Sequence, residues 1–113
     1  MQFQINILHK DMTSVITLDP KVEQEIMNSV KQTEQGAYLA LDPEYSAKIM
    51  ESLQEQTSKL EELGHTPIII TSPIVRMYFK HLTMEQFKNL QVLSYNEIDS
   101  DVELQSVGMV TVE

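Results

Sequence analysis

The chain has 113 residues, no cysteine and a formal net charge of −9. A chain of this length can fold as one domain without covalent cross-links, and the absence of cysteine excludes disulfides and thiolate chemistry. Contact with a nucleic-acid backbone requires clustered Lys and Arg, so we expect no nucleic-acid partner. The longest uninterrupted apolar run, at 37–41, is far shorter than the roughly 20 residues that span a bilayer.

The first residues alternate apolar and polar side chains, with apolar positions at Phe3, Ile5 and Ile7. This alternation is typical of a strand at the edge of a sheet. Because the strand pattern begins directly after Met1, we expect the chain to be a fragment of a longer protein.

Three apolar runs each end in a polar residue that is followed by proline; the polar residues are Asp19, Asp42 and Ser72. Each is predicted to be the N-cap of a helix, where its side chain accepts a hydrogen bond from the first turn, with proline at the first helical position. The runs before the caps predict parallel strands, at 15–18, 37–41 and 67–71. The apolar spacings after the caps predict helices, at 20–32, 43–63 and 73–82.

This repeated strand–helix order predicts a single α/β domain over residues 1–113. We expect a mostly parallel sheet of about four to five strands with helices packed on it. The near-continuous apolar run at 37–41 indicates a strand covered on both faces. Leu18-Asp19-Pro20 recurs as Leu41-Asp42-Pro43, which reflects either an internal duplication or the same turn requiring the same residues twice.

The second half of the chain predicts two more strands, at 92–95 and 102–112, the latter bulged at Gly108. The third helix is expected to bury Ile74, Tyr78 and Leu82 with Val75 and Phe79 beside them, and Met77 is expected to fill a gap in the core. The segment 83–86 is either a capping box that opens a separate short helix or the middle of the third helix. Since the apolar residues are used in this way, we expect no large exposed apolar patch.

No arrangement of residues predicts a catalytic centre, a metal site or a bound cofactor. The three histidines share no ligand spacing, and no serine lies in a Gly-x-Ser-x-Gly motif. The neutral turn at Thr71 and Ser72 either binds an anion at a helix N-terminus or is an ordinary cap. Tyr95, Asn96 and Glu97 lie at the carboxyl end of the strand that starts at Val92, at the edge where α/β sheets usually meet partners. The alternative is that Asn96 and Glu97 only turn the chain while Tyr95 packs.

Several longer motifs resemble those of one protein family. They are Thr17-Leu18-Asp19-Pro20, Gln32–Pro43, Gly64-His65 before Pro67, Ser72-Pro73 before Arg76 and Tyr78, and Val92–Ile98. From about Val15 to its end, the chain resembles the C-terminal cytoplasmic subdomain of the flagellar and virulence type III export-gate family. The asparagine in Ser-Tyr-Asn-Glu resembles the flagellar branch.

The resemblance implies a non-catalytic interaction and scaffold module on the cytoplasmic side of the bacterial inner membrane. Members of this family have a membrane-spanning N-terminal half, and their cytoplasmic halves assemble as a ring that receives substrates. The implied partners are other subdomains and subunits of the gate and, through the full-length protein, export chaperone–substrate complexes and the export ATPase complex. The isolated chain is expected to be a monomer. The alternative is a stand-alone α/β protein that binds a phosphate or nucleotide at Thr71-Ser72.

Overall fold

The computed structural model describes residues 11–113, so the edge strand expected around Phe3, Ile5 and Ile7 lies outside the described residues. The helices and strands follow one another in the order β1 (Asp11–Leu18), α1 (Pro20–Asn28), β2 (Val30–Thr33), β3 (Gly36–Leu39), α2 (Pro43–Glu62), β4 (Ile68–Thr71), α3 (Pro73–Thr83), β5 (Gln91–Ser94), a single 3₁₀ turn (Tyr95–Glu97) and β6 (Val102–Val110). The fold class is α/β, as predicted.

Four of the strands form one parallel sheet in the order β5-β4-β1-β6. The predicted parallel strands at 15–18 and 67–71 are confirmed, and the structure places them side by side, since Ile16 pairs with Ile69. Strand β6 pairs along the whole of β1, with a register shift that leaves Val107 as the extra residue directly before Gly108. The bulge predicted at this glycine is therefore confirmed.

The predicted third parallel strand at 37–41 is wrong. Strand β3 (Gly36–Leu39) pairs antiparallel with β2 in a separate two-stranded sheet. Gly36 has a φ of 119°, which glycine adopts readily and other residues rarely do. This conformation allows a tight turn after Thr33. The turn folds Val30–Thr33 back as a strand, so that α1 ends at Asn28 and not at residue 32 as predicted. Tyr38 is 53% exposed, so this apolar run is not covered on both faces.

All three helices of the described part pack onto one hydrophobic cluster. From the sheet the cluster takes Ile16, Leu18, Ile69, Val92 and Val110; from the helices it takes Val22, Ile26, Ile49, Leu53, Leu60, Val75 and Phe79. Within each helix these residues are four or seven positions apart, which places them on one face of that helix.

The buried face of helix α3 is only partly the predicted one, since Tyr78 and Leu82 pack partly buried against the core. Val75 and Phe79 are fully buried, whereas Ile74 is 67% exposed and Met77 is 59% exposed. Helix α3 has apolar residues on most of its circumference. Its sequence therefore fits two apolar stripes, one that begins at Ile74 and one that begins at Val75. The helix ends at Thr83, whose hydroxyl donates to the Phe79 carbonyl at 2.9 Å. The residues after it form a turn, so neither interpretation of 83–86 is correct.

Candidate functional site

Two of the three predicted caps have the same geometry. Asp19 precedes α1 with φ −55° and ψ 131°, and its carboxylate accepts from the Lys21 N–H at 3.0 Å. Asp42 precedes α2 with φ −54° and ψ 128°, and accepts from the Glu44 N–H at 3.1 Å. Both carboxylates are thus used locally, in satisfying a backbone donor that the helix leaves without a partner.

The third cap differs, because Ser72 precedes α3 but its hydroxyl makes no capping hydrogen bond. Instead the backbone N–H of Ser72 donates to Glu23 Oε2 of α1 at 2.7 Å. The Glu23 carboxylate therefore occupies the N-terminus of α3, which is the position that a bound anion would take, and its negative charge would repel that anion. The geometry therefore disfavours phosphate or nucleotide binding at Thr71-Ser72.

The polar cluster after β5 is an ordered turn, which we call the Tyr95 turn (Ser94–Glu97). Ser94 is buried, and its backbone N–H donates to Glu97 Oε1 at 2.9 Å. The Ser94 hydroxyl lies 3.1 Å from the same oxygen and also contacts Oδ1 of Asn96. The turn is thus held by its own side chains, in the manner of a capping box.

Arg76 fixes the Tyr95 turn to helix α3. Its Nε lies 2.6 Å from Glu97 Oε1, and both side chains are about one-third exposed, at 32% and 39%. The hydrogen bond from the Ser94 backbone N–H holds the pKa of Glu97 below its ordinary value. The Ser94 hydroxyl and Arg76 lower this pKa further, while partial burial opposes them.

The other two residues of the predicted site face solvent. Tyr95 is 56% exposed, and Asn96 is also exposed. Glu97 holds the turn together with Asn96, whose Oδ1 contacts the Ser94 hydroxyl. Tyr95 is the large side chain that the turn presents. An aromatic side chain on a fixed turn suits contact with another protein, because little rotamer freedom is lost on binding.

A second surface lies between the hairpin and α3, and we call it the α3 groove. It is a cleft of about 560 Å³ bordered by Ala37, Tyr38 and Leu39 of β3 on one side and by Met77 and His81 of α3 on the other. Tyr38 and Met77 are both more than half exposed. Two large apolar side chains are therefore exposed beside the groove, although Met77 was predicted to lie in the core.

Sequence reasoning missed Arg76 as the partner of Glu97, since nothing in the sequence relates positions on different elements. It also assigned Met77 to the core. One signal could have identified this surface: α3 carries apolar residues on more than one face, at Ile74, Val75 and Met77 to Phe79. A helix packed on one side against a sheet cannot bury all of them.

Within residues 11–113, no group of three His, Asp or Glu side chains is placed to hold a metal ion. None of the helices in the same range combines the length and the apolar character needed to cross a bilayer.

Comparison with known proteins places these features in a family. The FHIPEP family profile matches residues 2–103. The flagellar biosynthesis protein FlhA of Bacillus subtilis is 41% identical over 102 residues, which are 90% of this chain and 15% of FlhA. The low calcium response locus protein D of Yersinia pestis is 32% identical over 92 residues, 81% of this chain and 13% of that protein. The chain thus spans about one-seventh of the length of these relatives.

Solved structures share the fold. The CdsV protein of Chlamydia pneumoniae matches with a TM-score of 0.79 and 31% identity, over 96% of this chain and 31% of that one. CdsV in complex with CdsO matches with a TM-score of 0.75 and 32% identity, over 88% and 29% of the two chains. The nonameric SctV-C of EPEC matches with a TM-score of 0.76 and 27% identity, over 88% and 29%.

Proposed function

Because this chain belongs to the FHIPEP family, we propose that it is a non-catalytic interaction module of a bacterial type III protein-export gate. The flagellar branch is favoured over the virulence branch. This chain is 41% identical to the flagellar biosynthesis protein of Bacillus subtilis and 32% identical to the Yersinia protein. Asn96 in the Tyr95 turn supports the same branch through its resemblance to flagellar members.

The module is proposed to be one domain of a longer membrane protein and to lie on the cytoplasmic side of the bacterial inner membrane. The share of the relatives that it spans, 15% of FlhA, supports a single domain of a larger assembly. One structural neighbour, SctV-C of EPEC, is nonameric, which supports assembly into a multi-subunit gate. The expectation of a monomer therefore applies to the isolated chain and not to the full-length protein.

The partners proposed for the full-length protein are export chaperone–substrate complexes, the export ATPase complex and neighbouring subunits. A solved complex of CdsV with CdsO supports partner binding by proteins that contain this domain. The observation on this chain that carries the proposal is the Tyr95 turn. It presents Tyr95 and Asn96 to solvent on a backbone fixed by Glu97 and Arg76.

Complementation of a non-motile strain tests this function in the full-length protein. We expect deletion of residues 15–113 to abolish swimming, and the double change Tyr95→Ala and Asn96→Ala to reduce it at normal protein levels. The matched control is Glu85→Ala with Gln86→Ala, two exposed residues of another turn. Normal swimming after the deletion would overturn the proposal.

A further inference from the structure

A further cavity lies where helix α3 ends, and we call it the Lys80 pocket (bordered by seven residues of the segment 80–92). It has a volume of about 400 Å³, and its apolar border consists of Met84, Phe87, Leu90 and Val92. Val92 is buried, whereas Met84 is 52% exposed. The pocket therefore offers apolar surface that a ligand can reach from solvent.

Backbone hydrogen bonds hold the Lys80 pocket in shape. The Phe87 N–H donates to the Thr83 carbonyl at 2.9 Å, and the Leu90 N–H donates to the Phe87 carbonyl at 3.2 Å. The Gln91 N–H donates to the Pro67 carbonyl at 3.0 Å, which ties the segment to the residue before β4. Because the backbone around the pocket is already ordered, little conformational entropy is lost when a ligand binds.

Two lysines border the same pocket. Lys80 and Lys88 are both exposed. The ion pairs found among residues 11–113 involve other basic residues, so both ammonium groups are available to a ligand. None of the residues that border the pocket is acidic.

The segment around the Lys80 pocket differs in charge from the rest of the chain. The chain has 17 Asp and Glu residues, but Glu85 is the single acidic residue between positions 63 and 96. Glu85 does not border the pocket. Since salt screens charges beyond about 10 Å, a ligand in the pocket interacts mainly with the two lysines. An apolar pocket bordered by two cations is complementary to an apolar side chain that lies between carboxylates.

We propose that the Lys80 pocket docks an acidic segment of a partner protein, whose central apolar side chain enters the pocket and whose carboxylates pair with Lys80 and Lys88. The apolar side chain contacts Met84 and Phe87 and provides most of the affinity. The lysines select an acidic segment over a basic one. This proposal deepens the proposed function, on which it rests, by assigning a second docking surface and the chemistry of its partner.

Binding of a labelled synthetic peptide to the 113-residue chain tests the proposal directly. The probe has a central phenylalanine with two glutamates on each side. One control peptide carries lysine in place of every glutamate, and the other carries alanine in place of phenylalanine. We expect saturable binding of the acidic peptide and about tenfold or more weaker binding of both controls. No saturable binding of the acidic peptide, or equal affinity of the lysine peptide, would overturn the proposal.

Reversal of the two charges tests the role of the lysines. We expect Lys80→Glu with Lys88→Glu to weaken binding of the acidic peptide by about tenfold or more and to strengthen binding of the lysine peptide. The matched control is Lys31→Glu with Lys48→Glu, which changes the net charge equally at two exposed lysines outside the pocket. This control should bind the acidic peptide like the parent. Equal losses in the two double variants would overturn the proposal, because they would show an effect of net charge alone.

Removal of an apolar contact locates the anchor. Met84→Ala should weaken binding of the acidic peptide by about fivefold. Its control is Met77→Ala, since Met77 is 59% exposed but does not border the Lys80 pocket, and this variant should bind like the parent. Urea unfolding of both variants checks that the fold is retained. Unchanged binding in Met84→Ala would contradict an apolar anchor in the pocket.

A second copy of this acidic chain is the competing occupant. Sedimentation of the 113-residue chain should show no self-association; association that Lys80→Glu with Lys88→Glu abolishes would identify a second copy and overturn the proposal.

The full-length protein separates this proposal from the proposed function. We expect Lys80→Glu with Lys88→Glu to reduce swimming at normal protein levels, and Lys80→Arg with Lys88→Arg to preserve it. If the glutamate variant swims normally while deletion of residues 15–113 abolishes swimming, the docking proposal fails and the proposed function stands. If the deletion leaves swimming normal while the chain binds the acidic peptide as expected, the proposed function fails instead.

Discussion

The two Leu-Asp-Pro turns of this chain have the same local structure and different surroundings. At Asp19 and Asp42 the backbone angles agree within a few degrees, and the two cap hydrogen bonds measure 3.0 and 3.1 Å. The strand before Asp19 lies in the parallel sheet, where Ile16 and Leu18 are buried. The strand before Asp42 lies in the hairpin, where Tyr38 is half exposed.

The comparison shows that the turn motif determines how a helix begins but not which sheet the preceding strand joins. A cap is satisfied within a few residues, whereas membership of a sheet depends on partners that are far away in sequence. For the strand before Asp42, the positive φ of Gly36 allows a tight turn, and the chain folds back to pair with Val30–Thr33. This strand therefore lies in the hairpin and not in the parallel sheet.

The largest difference in stability is expected between substitutions in the two strands that precede these turns. We expect Ile16→Ala to lower the free energy of unfolding by about 3 kcal/mol, because it leaves a cavity in the core. Tyr38→Ala should lower it by less than about 1 kcal/mol, since its ring is half in solvent. Urea unfolding of both variants at pH 7 measures the difference. Equal losses would mean that the hairpin contributes to the core as strongly as β1 does.

The third turn, at Ser72, differs from the other two because its backbone N–H donates to a side chain of another helix. Glu23→Ala removes the acceptor of the Ser72 N–H and should cost about 1.5 kcal/mol, as is usual for hydrogen bonds to charged groups. Glu25→Ala, on the same helix but exposed, is the control and should change stability little. Urea unfolding midpoints of the two variants test this, and similar values would show that the contact to α3 adds nothing.

The caps themselves should behave alike despite their different surroundings. We expect Asp19→Ala and Asp42→Ala each to lower stability by about 1 kcal/mol, the usual loss of an N-cap. Ser72→Ala should have almost no effect, because the Ser72 hydroxyl makes no capping hydrogen bond. Thermal and urea unfolding of the three variants provide the measurement. A loss at Ser72 as large as at Asp19 would contradict the observed difference between the turns.

The smallest expected effect is a dependence on pH at the Tyr95 turn. The pKa of Glu97 is lower in the folded chain than its ordinary value, so its ionised form stabilises the fold. This stabilisation is complete above the unfolded pKa, near 4.3, and is lost as the pH falls through the lowered folded pKa. Glu97→Gln should therefore be less stable than the parent at pH 7 and approach it below pH 4. A difference that stays constant with pH, in urea unfolding, would contradict this role.

The sequence was sufficient for features set by local chemistry and insufficient for those set by partners. The positions of Asp19 and Asp42 follow from the chemistry of helix caps, and the bulge at Gly108 follows from a glycine inside a strand pattern. The strands β1 and β4 follow from apolar runs. The hairpin pairing of Ala37–Leu39 and the buried face of α3 depend on tertiary contacts, which a stripe of apolar residues does not specify uniquely. The same holds for the site: Tyr95, Asn96 and Glu97 were named, but Arg76 reaches Glu97 from another element.

The pairing of β6 with β1 has a consequence for how the domain is made. These strands join opposite ends of the described chain, from Asp11 with Val102 to Leu18 with Val110. During synthesis the helices and the hairpin can form early, but the sheet can be completed only after residue 110 has left the ribosome. Contacts between such distant residues slow folding, and until they form, one edge of β1 can pair with the wrong strand. The interval before β6 is available is therefore the time at which this chain is most exposed to misfolding.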